Sequence, residues 1–194
     1  MHGDPLAVID VSVSDWLHAR MAPPVTTAMT LISQLGSTIF VSCATLLIAL
    51  LFLWRRQQYE LVTLVVVVFG GVLLNILLKS AFHRHRPSFN DPVVSLTGYR
   101  FPSGHTMAAT VFYGVLAAFA FRNLRNWRWG VLAIIVALLL VLVIGFSRVY
   151  LGADYLSDVL AAIAEGVAWL AISLTAVETL RRRNIKDHRE RKPS

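Results

Sequence analysis

Residues 61–78 read LVTLVVVVFGGVLLNILL, and Thr63 and Asn75 are the only polar side chains among them. A helix in a soluble bundle needs a polar face recurring every 3.6 residues, which this stretch lacks. It is long enough to approach the roughly 20 apolar residues that one helical crossing of a bilayer requires. Four more stretches share its character, at about 26–54, 105–121, 129–147 and 156–177. Composition agrees: 56% of the 194 residues are hydrophobic and 15% charged, far from the balance of a soluble domain. The expectation is an all-α, multi-pass transmembrane helical bundle.

The first stretch is longer than one span, and Gly36 divides it, so 26–35 reads as a separate interfacial or re-entrant piece. Ahead of it, residues 5–20 alternate apolar and polar positions at near-helical spacing and carry Trp16 and His18. That pattern suits an amino-terminal amphipathic helix in the headgroup layer. No basic segment followed by an apolar one marks a cleavable signal peptide. The single cysteine, Cys43, excludes an internal disulfide. Residues 1–180 therefore form one membrane-embedded domain, and 181–194 a basic, solvated tail.

A net charge of +7 suggests nucleic acid until the basic residues are placed. They are not interleaved with stacking aromatics on a polar face, so no nucleic-acid partner is expected. Twelve of the 18 Lys and Arg instead follow the first, third and fifth spans: Arg55 and Arg56; Arg122, Arg125 and Arg128; and RRRNIKDHRERK from Arg181. Parity puts these segments on one side, which the positive-inside rule makes cytoplasmic. The carboxy terminus is then cytoplasmic, with anionic headgroups as contacts for the tail. The 79–104 loop and the 148–155 turn face outward.

Three clusters occupy that outward side. KSAFHRHRPS closes the second span, FPSGHTM opens the third, and SRVYLGADYLSD links the fourth to the fifth. Lys79 and Arg86 are two helical turns apart and share a face if the helix runs on to Pro87. Arginine offers a planar fork to phosphate oxygens, and lysine a point charge. In the second cluster Pro102 pre-sets a turn, Ser103 can cap the helix, and Gly104 leaves the backbone amides open to an anion. His105 falls in the first turn, placed to protonate a leaving oxygen. The third cluster adds Arg148, with Asp154 and Asp158 at i, i+4 spacing that puts both carboxylates on one helix face. Each cluster alone has a bland reading: headgroup snorkelling for one cation, a common Ser-Gly helix start, an ion pair for one carboxylate.

Together they resemble the three signature motifs of the phosphatidic acid phosphatase type 2 and vanadium haloperoxidase superfamily. That pattern runs Lys, six residues, Arg-Pro; then Pro-Ser-Gly-His; then Ser-Arg, five residues, His, three residues, Asp. Here it reads Lys79 through Arg86-Pro87, Pro102-Ser103-Gly104-His105, and Ser147-Arg148 with Asp154 and Asp158. The resemblance implies that Lys79, Arg86, Arg148, Ser103 and the Gly104 amide hold the phosphoryl oxygens. His105 is then the general acid, and Asp158 orients the nucleophile. It implies a metal-independent hydrolase without cofactor in a bacterial inner membrane, with its site outside. Its substrate class is a lipid phosphate or isoprenyl pyrophosphate, such as undecaprenyl pyrophosphate, phosphatidylglycerol phosphate, phosphatidic acid or a lipid A phosphate. Six spans are common in the family, which leaves room for a further helix ahead of Met1 and gives an expectation of five or six membrane helices.

One position departs from the pattern: Asp154 stands where the family carries the nucleophilic histidine. A carboxylate ends roughly 2 Å nearer the backbone than the far nitrogen of an imidazole, and about 1 Å of misplacement can cost a hundredfold in rate. It also repels a phosphate dianion, and it has Asp158 nearby to compete for Arg148. The expectation is impaired turnover with phosphate binding retained; His83 and His85 are conceivable substitutes but read as headgroup or loop contacts. Two other functions compete. A catalytically inactive lipid-phosphate binder follows from Asp154 alone, and a magnesium-dependent phospholipid transferase would use Asp154, Asp158 and Asp91 as ligands.

Overall fold

The computed structural model describes residues 5–82 and 101–190, and they are helical almost throughout. The helices are α1 (Pro5–His18), α2 (Pro23–Gln34), α3 (Thr38–Trp54), α4 (Gln58–Phe82), α5 (Gly104–Asn123), α6 (Trp127–Tyr150) and α7 (Leu156–Glu190). Among them α4, α5, α6 and α7 are long and apolar enough to cross a membrane. The pair α2 and α3, bent by 42° across a short break, makes a fifth candidate span. The break falls at Leu35–Ser37, where Gly36 divides the sequence, and Ser37 caps α3 by accepting from Phe40 N–H. The boundaries follow ordinary signals: Pro23 at the start of α2, Ser103 capping α5, Asn126 capping α6.

Helix α5 is the hub, in contact with α3, α4, α6 and α7. Its buried residues include Met107, Val111, Phe112, Val115 and Phe119, which meet Val41 of α3 and Leu64, Val67 and Val68 of α4. Small residues let the helices close up, as lipid-embedded bundles require where apolar burial alone gives no drive. A Cβ at Gly166 of α7 would lie 2.6 Å from Thr110 Cγ2. Trp169 of α7 ties across to α4, donating its indole N–H to the Val67 carbonyl at 2.9 Å. The outward surfaces of α3, α4 and α6 are aliphatic and aromatic, with Leu47, Phe69 and Leu138 more than half exposed. A bilayer accepts such a surface where water does not.

Helix α1 forms as the spacing predicts, with an inverted partition of its two faces. Leu6, Val8, Ile9 and Trp16 point outward, while Asp10, Ser14 and Leu17 are buried against the protein. Leu17 packs on Val149, Tyr150, Leu151 and Val159, at the α6–α7 junction. At the other end of the chain, α7 does not stop at Arg181. The α7 helix continues through Glu190, so the basic segment after Arg181 is helical over that part.

Candidate active site

The sequence PSGH starts α5 by the expected device. Ser103 is the N-cap, in extended backbone, and its Oγ accepts from Thr106 N–H at 3.4 Å. Gly104 is the first helical residue and His105 the second, partly exposed. Lys79, near the end of α4, brings its ammonium to this helix start. Its Nζ lies 2.9 Å from the point a Gly104 Cβ would occupy, and Asn75 Oδ1 lies 3.5 Å from it. The absent side chain is thus the space that admits the cation to the first turn of α5. Asn75 is held from behind, donating Nδ2 to Glu165 Oε2 of α7 at 3.2 Å.

Arg148 arrives from the last turn of α6, and the chain then reverses in a glycine-dependent cap. Gly152 has φ 66, the left-handed region, and its N–H donates to the Val149 carbonyl at 3.0 Å. Ala153 N–H reaches back to the Arg148 carbonyl at 3.0 Å, completing the Schellman pattern of bonds. This cap delivers Asp154 to the side chain of Arg148. Arg148 Nε donates to Asp154 Oδ2 at 2.9 Å, and Ser103 Oγ donates to the same oxygen at 2.9 Å. The second guanidinium contact is Nη1 to Ser33 Oγ of α2 at 3.3 Å. Arg148 and Asp154 are about 5% exposed or less, so this is an ion pair removed from solvent.

The placement of the two aspartates corrects the helical spacing expected of them. Asp154 lies in the turn before α7, and Asp158 in the first turn of α7, so they do not share a helix face. Asp158 is fully buried and its Oδ2 accepts from Tyr155 N–H at 2.8 Å, the backward half of a capping box. Its carbonyl accepts from Ser103 N–H at 3.2 Å, which joins the start of α7 to the start of α5. Asp10 of α1 adds a cap from outside the helix: its carboxylate accepts from Ser157 N–H at 2.9 Å and from Ser157 Oγ at 2.5 Å.

Seven of the eight residues to which the family resemblance gives catalytic or phosphate-binding roles lie at one end of the bundle: Lys79, Ser103, Gly104, His105, Arg148, Asp154 and Asp158. Arg86, His83, His85 and Asp91 lie outside the described residues. Among the described residues, no three His, Cys, Asp or Glu side chains gather as a metal would require. Ser33, Asn75, Glu165 and Asp10 are additions that motif reading missed. The available signal was a polar residue inside an otherwise apolar run. Gly36 belongs with them, since a Cβ there would sit 2.9 Å from the His105 carbonyl oxygen and 2.7 Å from Ile144. Chemically, a buried guanidinium and a hydroxyl converge on one oxygen, with an ammonium at a helix amino terminus beside them. Such a set stabilises an oxyanion, and an internal carboxylate occupies part of it here.

The fold defines a helical membrane protein with a buried polar cluster at one end of its bundle. Residues 60–182 match the PAP2 superfamily, and the chain belongs to it. Phosphatidylglycerophosphatase B of Bacillus subtilis is 29% identical over 168 residues, covering 86% of this chain and 82% of that protein. The lipid A 1-phosphatase of Rhizobium johnstonii is 41% identical over 120 residues, which span 57% of this chain and 44% of the relative. The crystal structure of a transmembrane PAP2 type phosphatidylglycerolphosphate phosphatase from Bacillus subtilis superposes with a TM-score of 0.84. Identity to it is 28%, over 92% of this chain and 89% of that one. The protein is therefore an integral multi-pass membrane protein of a lipid phosphatase family.

Proposed function

We propose that this chain is a metal-independent lipid-phosphate hydrolase scaffold whose chemistry is impaired by Asp154. The observation that carries the reading is the Asp154 carboxylate, buried and held at 2.9 Å by both Ser103 and Arg148. Lys79, Arg86, Ser103, the Gly104 amide and Arg148 bind the phosphoryl oxygens. His105 passes a proton to the departing alcohol or phosphate. Turnover on this chain requires Asp154 to attack phosphorus with a carboxylate whose Oδ2 both Ser103 and Arg148 engage. It would form an acyl phosphate, break the bond to the lipid oxygen, and then lose phosphate to water. Each of those donors lowers the nucleophilicity of the carboxylate, and its charge opposes an incoming dianion. Asp158 acts on residue 154 through the backbone, by fixing the Tyr155 amide.

The substrate is an amphiphile with a terminal phosphate or pyrophosphate: phosphatidylglycerol phosphate, phosphatidic acid or undecaprenyl pyrophosphate. The names of the relatives support that class, and the aliphatic outer surface of the bundle supports access for the tails from the bilayer. The distribution of basic residues supports a site facing the exterior of a bacterial inner membrane, with the carboxy terminus cytoplasmic. A second reading is favoured by the same ion pair: a lipid-phosphate binder that never releases phosphate. The test measures phosphate release by this chain and by its Asp154→His variant from each lipid in detergent, with and without EDTA. Release that appears with histidine and is indifferent to chelator supports the scaffold. Binding with no release from either chain supports the binder.

A further inference from the structure

The end of the bundle opposite Ser103 carries a second ordered set of polar side chains, which the chemistry above does not use. Tyr59, at the start of α4, donates its hydroxyl to Glu178 Oε2 at 3.0 Å and accepts from Arg122 Nη1 at 2.9 Å. Arg182 Nε donates to Glu178 Oε1 at 3.0 Å. Arg122 and Arg181 bring nitrogens to 3.8 and 3.9 Å from Oε2. The same two guanidiniums lie over the Tyr59 ring, 4.7 and 4.4 Å from its centroid. Three cations share one carboxylate, and stacking on tyrosine orients two of them in advance.

A helix staple does not need this arrangement. Ion pairs this exposed contribute little to stability, and a single arginine would satisfy Glu178. The cluster also borders a cleft of about 590 Å³ between α4, α5 and α7, in which Glu178 is the sole acidic lining residue among the described residues. The cleft has two tiers. Tyr59, Arg122, Glu178 and Arg182 form the polar rim. Ala118 and Leu174 lie one helical turn deeper on α5 and α7 and form a floor that is apolar apart from Thr175, with Thr179 lining the wall above it. The length of α5, 20 residues, puts this cleft about 30 Å from the Ser103 cradle.

We infer that this cleft binds the phosphodiester headgroup of an anionic phospholipid in the leaflet opposite the candidate active site. The guanidiniums take the phosphate oxygens, and the first acyl carbons lie on Ala118 and Leu174. A free phosphate satisfies the rim and leaves the floor empty, so the two tiers together select an amphiphile.

The test is native mass spectrometry of the detergent-purified full chain after incubation with phosphatidylglycerol or phosphatidylcholine, alongside thermal melts with either lipid or with inorganic phosphate. Phosphatidylglycerol is expected to remain bound and to raise the melting temperature, and phosphatidylcholine to do neither. Arg182→Gln removes an exposed rim cation whose loss leaves folding intact, and retention is expected to fall roughly fivefold. Arg128→Gln deletes a charge from the same end of the bundle outside the cleft and is expected to leave retention unchanged. Equal losses in both variants would reduce the effect to a general basic surface and overturn the inference. So would stabilisation by inorganic phosphate that Arg182→Gln abolishes, or equal retention of the two lipids.

Discussion

Replacing Asp154 with histidine separates the two jobs that this carboxylate has taken on. The first is electrostatic. Arg148 is buried, and deleting its partner leaves an uncompensated cation, a change that costs about 3–5 kcal/mol in comparable settings. For a chain of this size the loss corresponds to a fall on the order of 10 °C in melting temperature. An oxyanion that enters the emptied cradle restores the balance, so millimolar phosphate is expected to recover most of that fall in Asp154→His and to shift this chain little. The second job is chemical. At an effective dielectric constant of about 20, a carboxylate some 4 Å from one phosphate charge adds roughly 4 kcal/mol of repulsion. That is worth about a thousandfold in rate, before the shorter reach of the side chain is counted. Phosphate release from phosphatidylglycerol phosphate is therefore expected to rise by at least about a thousandfold in the histidine variant. A folded variant that melts like its parent, gains nothing from phosphate and releases none would refute the reasoning. So would a parent chain that already turns over as fast.

Other consequences are open to simpler measurements. Gly104→Ala puts a methyl group 2.9 Å from Lys79 Nζ, the far end of a flexible side chain. Melting should hold while affinity for lipid phosphate, measured by isothermal titration, drops about tenfold or more. Asp10→Ala strips two acceptors from Ser157, with an expected cost of about 1–3 kcal/mol and faster proteolysis within α1. Arg56 sits at φ 56 in the turn between α3 and α4, so Arg56→Gly should raise stability by about 1 kcal/mol in denaturant or thermal titration. EDTA is expected to leave phosphate release by Asp154→His unchanged, and a chelator-sensitive rate would point to a metal.

The spans were legible because lipid allows apolar runs without interruption: LVTLVVVVFGGVLLNILL could form little else, and Gly36 marked the bend between α2 and α3. The start of α5 was legible for a different reason, since Ser103 and Gly104 act on their own neighbours. The geometry of the third motif was not. Counting from Asp154 to Asp158 presumes a helix between them, whereas Gly152 and the Tyr155–Asp158 bond delay that helix to Leu156. Both signals stand in SRVYLGADYLSD, a glycine after a helical run and an acid three residues after the cap, but helical spacing hides them. The partners of the site were out of reach altogether. Ser33 is 115 positions from Arg148 and Asp10 is 147 from Ser157, and only the packing of α1 and α2 against α6 and α7 joins them.

The bend at Gly36 has an effect beyond the span that contains it. With the His105 carbonyl and Ile144 both closer to this position than a methyl group tolerates, residue 36 works as a bearing surface for the first turn of α5. A library screened for recovered hydrolysis in an Asp154→His background should therefore tolerate almost no substitution at 36. An investigator ranking positions by distance from phosphorus would leave it out, and would lose a position that packs directly against the first turn of α5, where His105 stands.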